Sequence, residues 1–395
     1  MKKRLIFLYS HPIQYFAPLS RKLAQSDEFE VLVCYCSDYG VKAYQDREFN
    51  RTVQWDIPLL EGYESIFLKN YKRNGGIEKG FFGLINLGIL KVLRQQPKSY
   101  IIVHGWGYLT QLLTLVVGRA YGHTVCLRGE SPLSHEAQYN DKQRQRRKRF
   151  FQHFLFPRIH KFLYIGSQNK AFYKKYGVQE DQLIFAPYSI DNERFSAAYE
   201  QYKDQQAALR TSLKLPLDQR IFLFSGKFID KKRPMDLLRA FANLAPENAH
   251  LVFVGDGPLR PDMEAFIADQ QLQNVTLTGF VNQTVIPQYY AIADVFVMCS
   301  QEGETWGLST NEAMNFALPL VLSDLTGSSS DLVVEGKNGY VFETGNVNAL
   351  QEKLAQMLHL SKEDLVQMGQ LSKQKIANYS YDVIVEQLVE QLEVV

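Results

Sequence analysis

Cysteine is scarce in this chain of 395 residues: only Cys34, Cys36, Cys126 and Cys299 are present, with neither a CxxC pair nor a zinc-ligand spacing. Each lies in or beside an apolar run, so buried free thiols in a reducing compartment are expected rather than a disulfide framework. An excess of one charge is also missing, because 44 Lys and Arg against 42 Asp and Glu leave a formal net charge of +2. That balance excludes wholesale nucleic-acid binding, and any basic function must be local. No stretch approaches the ~18 uninterrupted apolar residues of a membrane span. "YLTQLLTLVVG" is too short and ends at Arg119. The start, "MKKRLIFLYSHPIQYF", is basic then apolar like a signal peptide, yet it meets His11-Pro12 at once and has no small-residue cleavage site. It reads as a first buried strand, and a cytoplasmic protein is expected. Neither a P-loop (GxxxxGK[ST]) nor GxGxxG occurs, which counts against a P-loop NTPase and a dinucleotide oxidoreductase. A D-x-D metal pair, short-period repeats and low-complexity tracts are absent too.

What is present is a long alternation. Short apolar runs, "RLIFLYS", "EVLVCYC", "YIIVHG", "TVCLRG", "FLYIG" and "LIFAP", are followed in the second half by "RIFLFSG", "HLVFVGDG", "VTLTG", "DVFVMCS", "LPLVLSD" and "GYVF". Most are continuous rather than alternating, as parallel strands buried on both faces require. Helical patterns such as "DLLRAFANLA" and "PDMEAFIADQQL" lie between them. The pattern predicts an α/β protein with two doubly wound parallel sheets. It breaks at the polar stretch 196–220, which gives an expected division into residues 1–200 and 201–378. A final helix, 379–395, is expected to pack back toward the N-terminal domain.

In open α/β sheets, ligands bind outside the carboxyl ends of the strands, so chemistry should follow each apolar run. After "RIFLFSG", Gly226 is followed by Lys227 and Lys232, five apart, on the way into a helix at Pro234. Two cations at such a junction suit a diphosphate; a solvated lysine loop is the competing reading. Gly255 and Gly257 follow "HLVFV" and permit close backbone approach. Phe280 follows "VTLTG", where an aromatic or backbone group could meet a base. "CSQEGETWGLSTNEAM" sets Glu304 and Glu312 eight positions apart, with Gly307, Leu308 and Ser309 between them. Ser309 to Glu312 has the S/T-x-x-E form of a capping box. The alternative is a pair of carboxylates flanking a helix start that faces a ligand, with N–H groups near Leu308 and Ser309 as an anion site.

Taken in order, these pieces resemble the family 4 glycosyltransferases, retaining enzymes of the GT-B fold. Glu304 and Glu312 are similar to that family's E-x7-E signature, and "SGKFIDKKRPMDLLRAF", "FVGDGPLRPDME", "APYSIDNERF" and "DLVVEGKNGYVF" resemble its other landmarks. "SHPIQYFAPLSRKLA" and "LRGES" look like a subgroup found among bacterial surface-polysaccharide enzymes. Two departures stand out: "SHPIQY" replaces a Gly-rich loop, and Arg128-Gly129-Glu130-Ser131 replaces a His-containing loop.

The resemblance implies two Rossmann-like domains facing a central cleft, acceptor-binding first and donor-binding second. It implies transfer of a sugar from a nucleoside diphosphate sugar (UDP or GDP) to a glycan or lipid-linked acceptor in cell-surface polysaccharide synthesis. No cofactor and no metal would be needed. Glu304 would bind the donor sugar's hydroxyls and Glu312 the ribose. Gly226, Lys227, Lys232, Gly255, Phe280, Gly307, Leu308 and Ser309 would complete the donor site, with the two lysines meeting the departing diphosphate. His11, His104, Arg128 and Glu130 follow N-terminal strands and are the acceptor-side candidates; Glu130 and His11 are the catalytic ones among them, Glu130 as the group that orients or deprotonates a hydroxyl. A lone His is otherwise commonly structural.

The segment 142–161 begins with six Lys or Arg between residues 141 and 149. It reads either as a solvated helix or, given lipid-linked acceptors in the family, as a peripheral contact with anionic membrane at the inner face. Two other functional classes compete with transfer: a nucleotide-sugar epimerase or isomerase on the same fold, and an inactive nucleotide-sugar-binding homologue.

Overall fold

A computed structural model describes residues 2–46 and 48–393. The first half contains β1 (Lys3–Tyr9), β2 (Phe29–Tyr35), β3 (Tyr44–Asp46), β4 (Arg51–Val53), β5 (Glu64–Phe67), β6 (Tyr100–His104), β7 (Thr124–Arg128), β8 (Lys161–Tyr164) and β9 (Leu183–Phe185). The second contains β10 (Arg220–Ser225), β11 (Ala249–Val254), β12 (Val275–Leu277), β13 (Val295–Met298), β14 (Leu320–Ser323) and β15 (Gly339–Phe342). They form a seven-stranded sheet ordered β5-β2-β1-β6-β7-β8-β9 and a six-stranded sheet ordered β12-β11-β10-β13-β14-β15. Every described pairing in these two sheets is parallel, as in β1 with β2 (Leu5 beside Val31) and β10 with β13 (Leu223 beside Phe296).

The apolar runs explain the strands. Along β1, Leu5, Phe7 and Tyr9 enter one core and Ile6 and Leu8 the other, so a run with no polar alternation satisfies both faces of a covered sheet. All twelve runs named above contain a strand of these sheets. The seventh strand of the first sheet, β5, and the short β3–β4 pair have no counterpart among them. β5 is an edge strand, "ESIF", with no fully buried residue, and periodicity cannot distinguish it from loop. The polar stretch near 196–220 forms two helices, Asn192–Tyr202 and Gln206–Ser212.

The chain divides into two compact units. The first holds residues up to Tyr44, Ile57–Tyr188 and the segment from Tyr381 on; the second holds Gln45–Asp56 and Ser189–Ser380. Within the first unit the final helix, Tyr381–Gln391, sets Tyr381, Ile384 and Leu388 into the core that lines β1. Its Tyr381 hydroxyl donates to the Tyr15 carbonyl at 2.6 Å, and Lys22 pairs with Asp382 at 2.7 Å. All four cysteines are buried free thiols, and burial pushes Cys34 and Cys126 up to about 12, which leaves them inert packing groups. Among the described residues no helix is long and apolar enough to cross a membrane.

Candidate functional site

Strand order selects the places to look. In the second sheet the order reverses between β10 and β13, and in the first between β1 and β6. At such a switch point the connections leave in opposite directions and open a crevice beyond the carboxyl ends of the two strands.

In the second unit, Lys232 lies in the turn after β10 and Glu304 in the loop after β13. Their side chains form an ion pair, with only 15% and 10% of the two side chains exposed. The Ser300 hydroxyl donates to the same carboxylate at 3.4 Å. Burial works against the Glu304 charge, yet Lys232, Lys231 and Ser300 outweigh it and hold the carboxyl below its ordinary value. The loop itself is fixed by the Gln301 N–H on the Lys231 carbonyl (2.9 Å) and by Arg233 on the Gln301 side chain (2.7 Å).

The capping-box reading of Ser309 and Glu312 is not what forms. The helix Ser309–Asn315 is preceded by Leu308 as its N-cap, without a side-chain cap, and Ser309 is already inside it. Glu312 turns instead toward the core, where the Tyr290 hydroxyl donates to its carboxylate at 2.6 Å. A buried tyrosine on the neighbouring helix Ile286–Ile292 offers a stronger partner than the helix's own backbone. Gly307 makes the turn into this helix at φ 90°, and a Cβ there would meet the Met298 sulfur at 2.6 Å. Leu308 and Ser309 are half-buried beside it.

Lys227, the second expected phosphate ligand, holds different company from Lys232. Its ammonium lies 2.6 Å from Glu48 and 3.2 Å from Asp46, over the Phe49 ring at 4.7 Å. Gly226 is half-buried at the end of β10, and its N–H donates to Val254. Gly255 bridges Gly279 by its own N–H at 3.0 Å. The Phe280 ring packs against the edge of Phe49 and under the Arg51 guanidinium at 5.1 Å. Asp46, Glu48, Phe49, Ser300 and Tyr290 were all beyond the reach of motif reasoning, since each meets its partner across a distance in sequence or carries no motif of its own.

In the first unit, β6 and β7 run side by side with His104 opposite Arg128. Arg128 is buried, pairs with Glu130 at 3.1 Å, and is stacked between Phe16 (5.1 Å) and Tyr188 (4.8 Å). His104 sits between the rings of Tyr9 and Phe16, both at 4.4 Å, and its Nε2 has no hydrogen-bond partner among the described residues. Burial, with the Arg128 charge adding to it, keeps this imidazole neutral. His11 bonds to the Ser10 hydroxyl at 2.9 Å and stands edge-on to Tyr39, and burial lowers it to about 4. It is therefore unprotonated at neutral pH and a weak base. Tyr9, His104, Arg128, Glu130 and Tyr188 form one polar-aromatic cluster at and beyond the ends of β1, β6, β7 and β9.

The basic segment separates into two parts. Lys142, Arg144, Arg146, Lys148 and Arg149 are exposed, but Arg147 binds the buried Glu136 at 2.6 Å. Of the aromatics that follow, Phe151 and Phe156 are core and Phe154 is exposed. The run of rings after the charges is therefore mainly a packing element, not an apolar membrane face. Among the described residues no group of three or more His, Cys, Asp or Glu is placed to hold a metal ion.

Comparison with known proteins bears on this geometry. Residues 205–375 match the family model for glycosyl transferases group 1. The matched stretch covers the second sheet and both glutamates. Over 195 residues the chain is 30% identical to a sulfoquinovosyl transferase of Arabidopsis thaliana, covering 49% of this chain and 36% of that one. The chain spans less than half the length of the first curated relatives it matches. Solved structures align over nearly everything: a glycosyltransferase from Rickettsia africae (TM-score 0.74, 13% identity, 98% of this chain and 97% of that) and Anabaena HepE in complex with UDP (TM-score 0.72, 15% identity, 99% of each). At those identities the likeness is one of fold, and the fold is GT-B.

Proposed function

We propose that the protein is a retaining, metal-independent glycosyltransferase that moves a sugar from a nucleoside diphosphate sugar to a hydroxyl of a glycan or lipid-linked acceptor, in cell-surface polysaccharide synthesis. The observation that carries the reading is the buried Lys232–Glu304 pair at the β10–β13 switch point, inside the region that matches glycosyl transferases group 1. A cation at that crevice has a use: it can meet the diphosphate that departs during transfer. UDP in the HepE complex supports a nucleoside diphosphate, UDP or GDP, as the carrier.

In this mechanism Lys232 and Lys227 offset the charge that develops on the leaving diphosphate, and neither must be deprotonated to act. Glu304, kept ionised by its neighbours, accepts hydrogen bonds from sugar hydroxyls. Glu312, held by Tyr290, is assigned to the ribose hydroxyls. On the acceptor side Glu130 orients or deprotonates the attacking hydroxyl, while Arg128 holds Glu130 in position. His11, lowered to about 4, is assigned a hydrogen-bonding role rather than general-base work. No cofactor is assigned. The exposed cations of 142–149 are proposed to reach anionic lipid at the inner membrane face.

A thermal-shift panel of UDP, GDP, ADP and CMP sugars tests donor class, and a rise with one diphosphate sugar alone is expected. With that donor, Glu304→Ala should lower transfer by about 10- to 100-fold while the fold survives. Near-normal turnover in that variant would sink the assignment.

A further inference from the structure

Residues 45–56 are flanked in sequence by the first unit yet belong to the second. Contacts from several of the described residues among them fasten them there. The Asn282 amide donates to the Gln54 carbonyl at 2.7 Å, and Thr284 bonds through both its N–H and hydroxyl to Asp56. Phe49, Arg51 and Trp55 surround the Phe280 ring. Gly257 shows how close the approach is: a Cβ there would meet the Glu48 carbonyl at 2.9 Å and the Phe228 carbonyl at 2.6 Å.

The chemistry of the tip is the informative part. Asp46 is pre-set by two backbone bonds, from the Glu48 and Phe49 N–H groups at 2.9 Å each. Its carboxylate, only 12% exposed, and that of Glu48 converge on Lys227. Among the described residues in contact there, two carboxylates meet one ammonium, and carboxylates repel a diphosphate.

We propose that segment 45–56 is an internal latch on the donor site, in which Asp46 and Glu48 act as counter-ions that must release Lys227 before a nucleoside diphosphate can use it. The proposal rests on the donor-site reading above and adds to it a control on donor affinity. The diphosphate takes the place of the two carboxylates, and the Phe280 contacts loosen as the tip withdraws. Donor affinity is thus set below what Lys227 alone would give.

The test is calorimetric binding of UDP and GDP to the full chain, its D46N/E48Q double variant, E48Q alone, K227A and the triple variant D46N/E48Q/K227A. Asn at 46 keeps the oxygen that accepts the two N–H groups, and residue 48 is exposed at its side chain, so both substitutions are compatible with the fold. D46N/E48Q should bind the preferred nucleotide about three- to tenfold more tightly, E48Q should move part of the way, and K227A should weaken binding and erase the gain. The gain should shrink with added salt, because the contacts are partly exposed. Unchanged or weaker binding by D46N/E48Q and by E48Q, with wild-type binding still dependent on Lys227, overturns the latch and leaves the donor reading standing. Failure of the wild type to bind either nucleotide overturns the donor reading itself, and the latch with it.

Discussion

Removing Lys232 separates a structural ion pair from a working one. Lys232→Ala would leave the Glu304 carboxylate with 90% of its side chain covered and its main counter-charge gone. Breaking a buried pair from one side costs about 3–5 kcal/mol; an edge of each side chain still reaches solvent here, so about 2–4 kcal/mol is expected. That corresponds to a fall in melting temperature of roughly 5–10 °C for units of this size. The deficit must depend on pH in a definite direction. Glu304 has a folded-state pKa below its unfolded value, so the pair stabilises the protein above the ordinary carboxylate pKa of about 4.3 and ceases to do so as pH falls through the folded value. Wild type and variant should therefore differ most at neutral pH and converge in acid. Adding Glu304→Gln to Lys232→Ala removes the stranded charge and should restore most of the stability. It should not restore chemistry: nucleoside diphosphate release from the preferred donor should remain about 10²- to 10³-fold down, because the stabilising cation is missing in both variants. Denaturant unfolding at pH 7.5 and near pH 4, with a release assay on both proteins, measures each arm. A stability deficit that ignores pH, or near-normal release from the double variant, would refute the reasoning.

The histidines give a second pH dependence that begins higher, near pH 6.5. His11, His104, His160 and His250 are all lowered, chiefly by burial, so below about pH 6.5 the unfolded chain takes up protons the native one refuses. Unfolding free energy should decline from pH 6.5 toward pH 4, and His104→Gln should flatten that slope; an identical slope in the variant counts against the buried neutral imidazole. On the membrane side, replacing Lys142, Arg146, Lys148 and Arg149 by serine should cut co-sedimentation with anionic vesicles at least about tenfold, at ~1 kcal/mol per surface cation. Arg147 must be left alone, since it neutralises the buried Glu136. Unchanged co-sedimentation would end the membrane proposal.

The fold was legible because its strands are covered on both faces. A parallel strand such as β1 or β10 is apolar through its buried centre, Leu5–Tyr9 and Ile221–Phe224, and such a run is visible without any partner. The two elements that escaped, β5 and the β3–β4 pair, are three or four residues long and largely exposed, so their composition is that of a loop. The placement of candidate residues at strand ends was legible for the same reason. Those that follow a buried run, Lys232 and Glu304 among them, could be found by asking what lies beyond the strand ends. The partner of each could not. Glu312 has the spacing of a capping box, and only tertiary packing against Tyr290 turns it away from its own helix.

Lys227 shows why that difference matters for function. In sequence it is equivalent to Lys232: both follow β10, both are lysines, and both suit a diphosphate. In the folded chain both are held by carboxylates, but from different places in the chain. Lys232 pairs with a buried carboxylate from its own sheet's switch point, a partner that is itself assigned to the sugar and so belongs to the bound state. Lys227 pairs with Asp46, 181 residues away, on a segment flanked by the other unit's sequence. In the latch proposed above, the partner of Lys227 lies on a separate segment outside the sheet, whereas that of Lys232 is embedded in the loop after β13. The two lysines should therefore differ in what their removal does. Loss of Lys232 should act on stability and on the chemical step together, whereas loss of Lys227 should weaken donor binding as well as the chemical step and erase the dependence of affinity on Asp46 and Glu48.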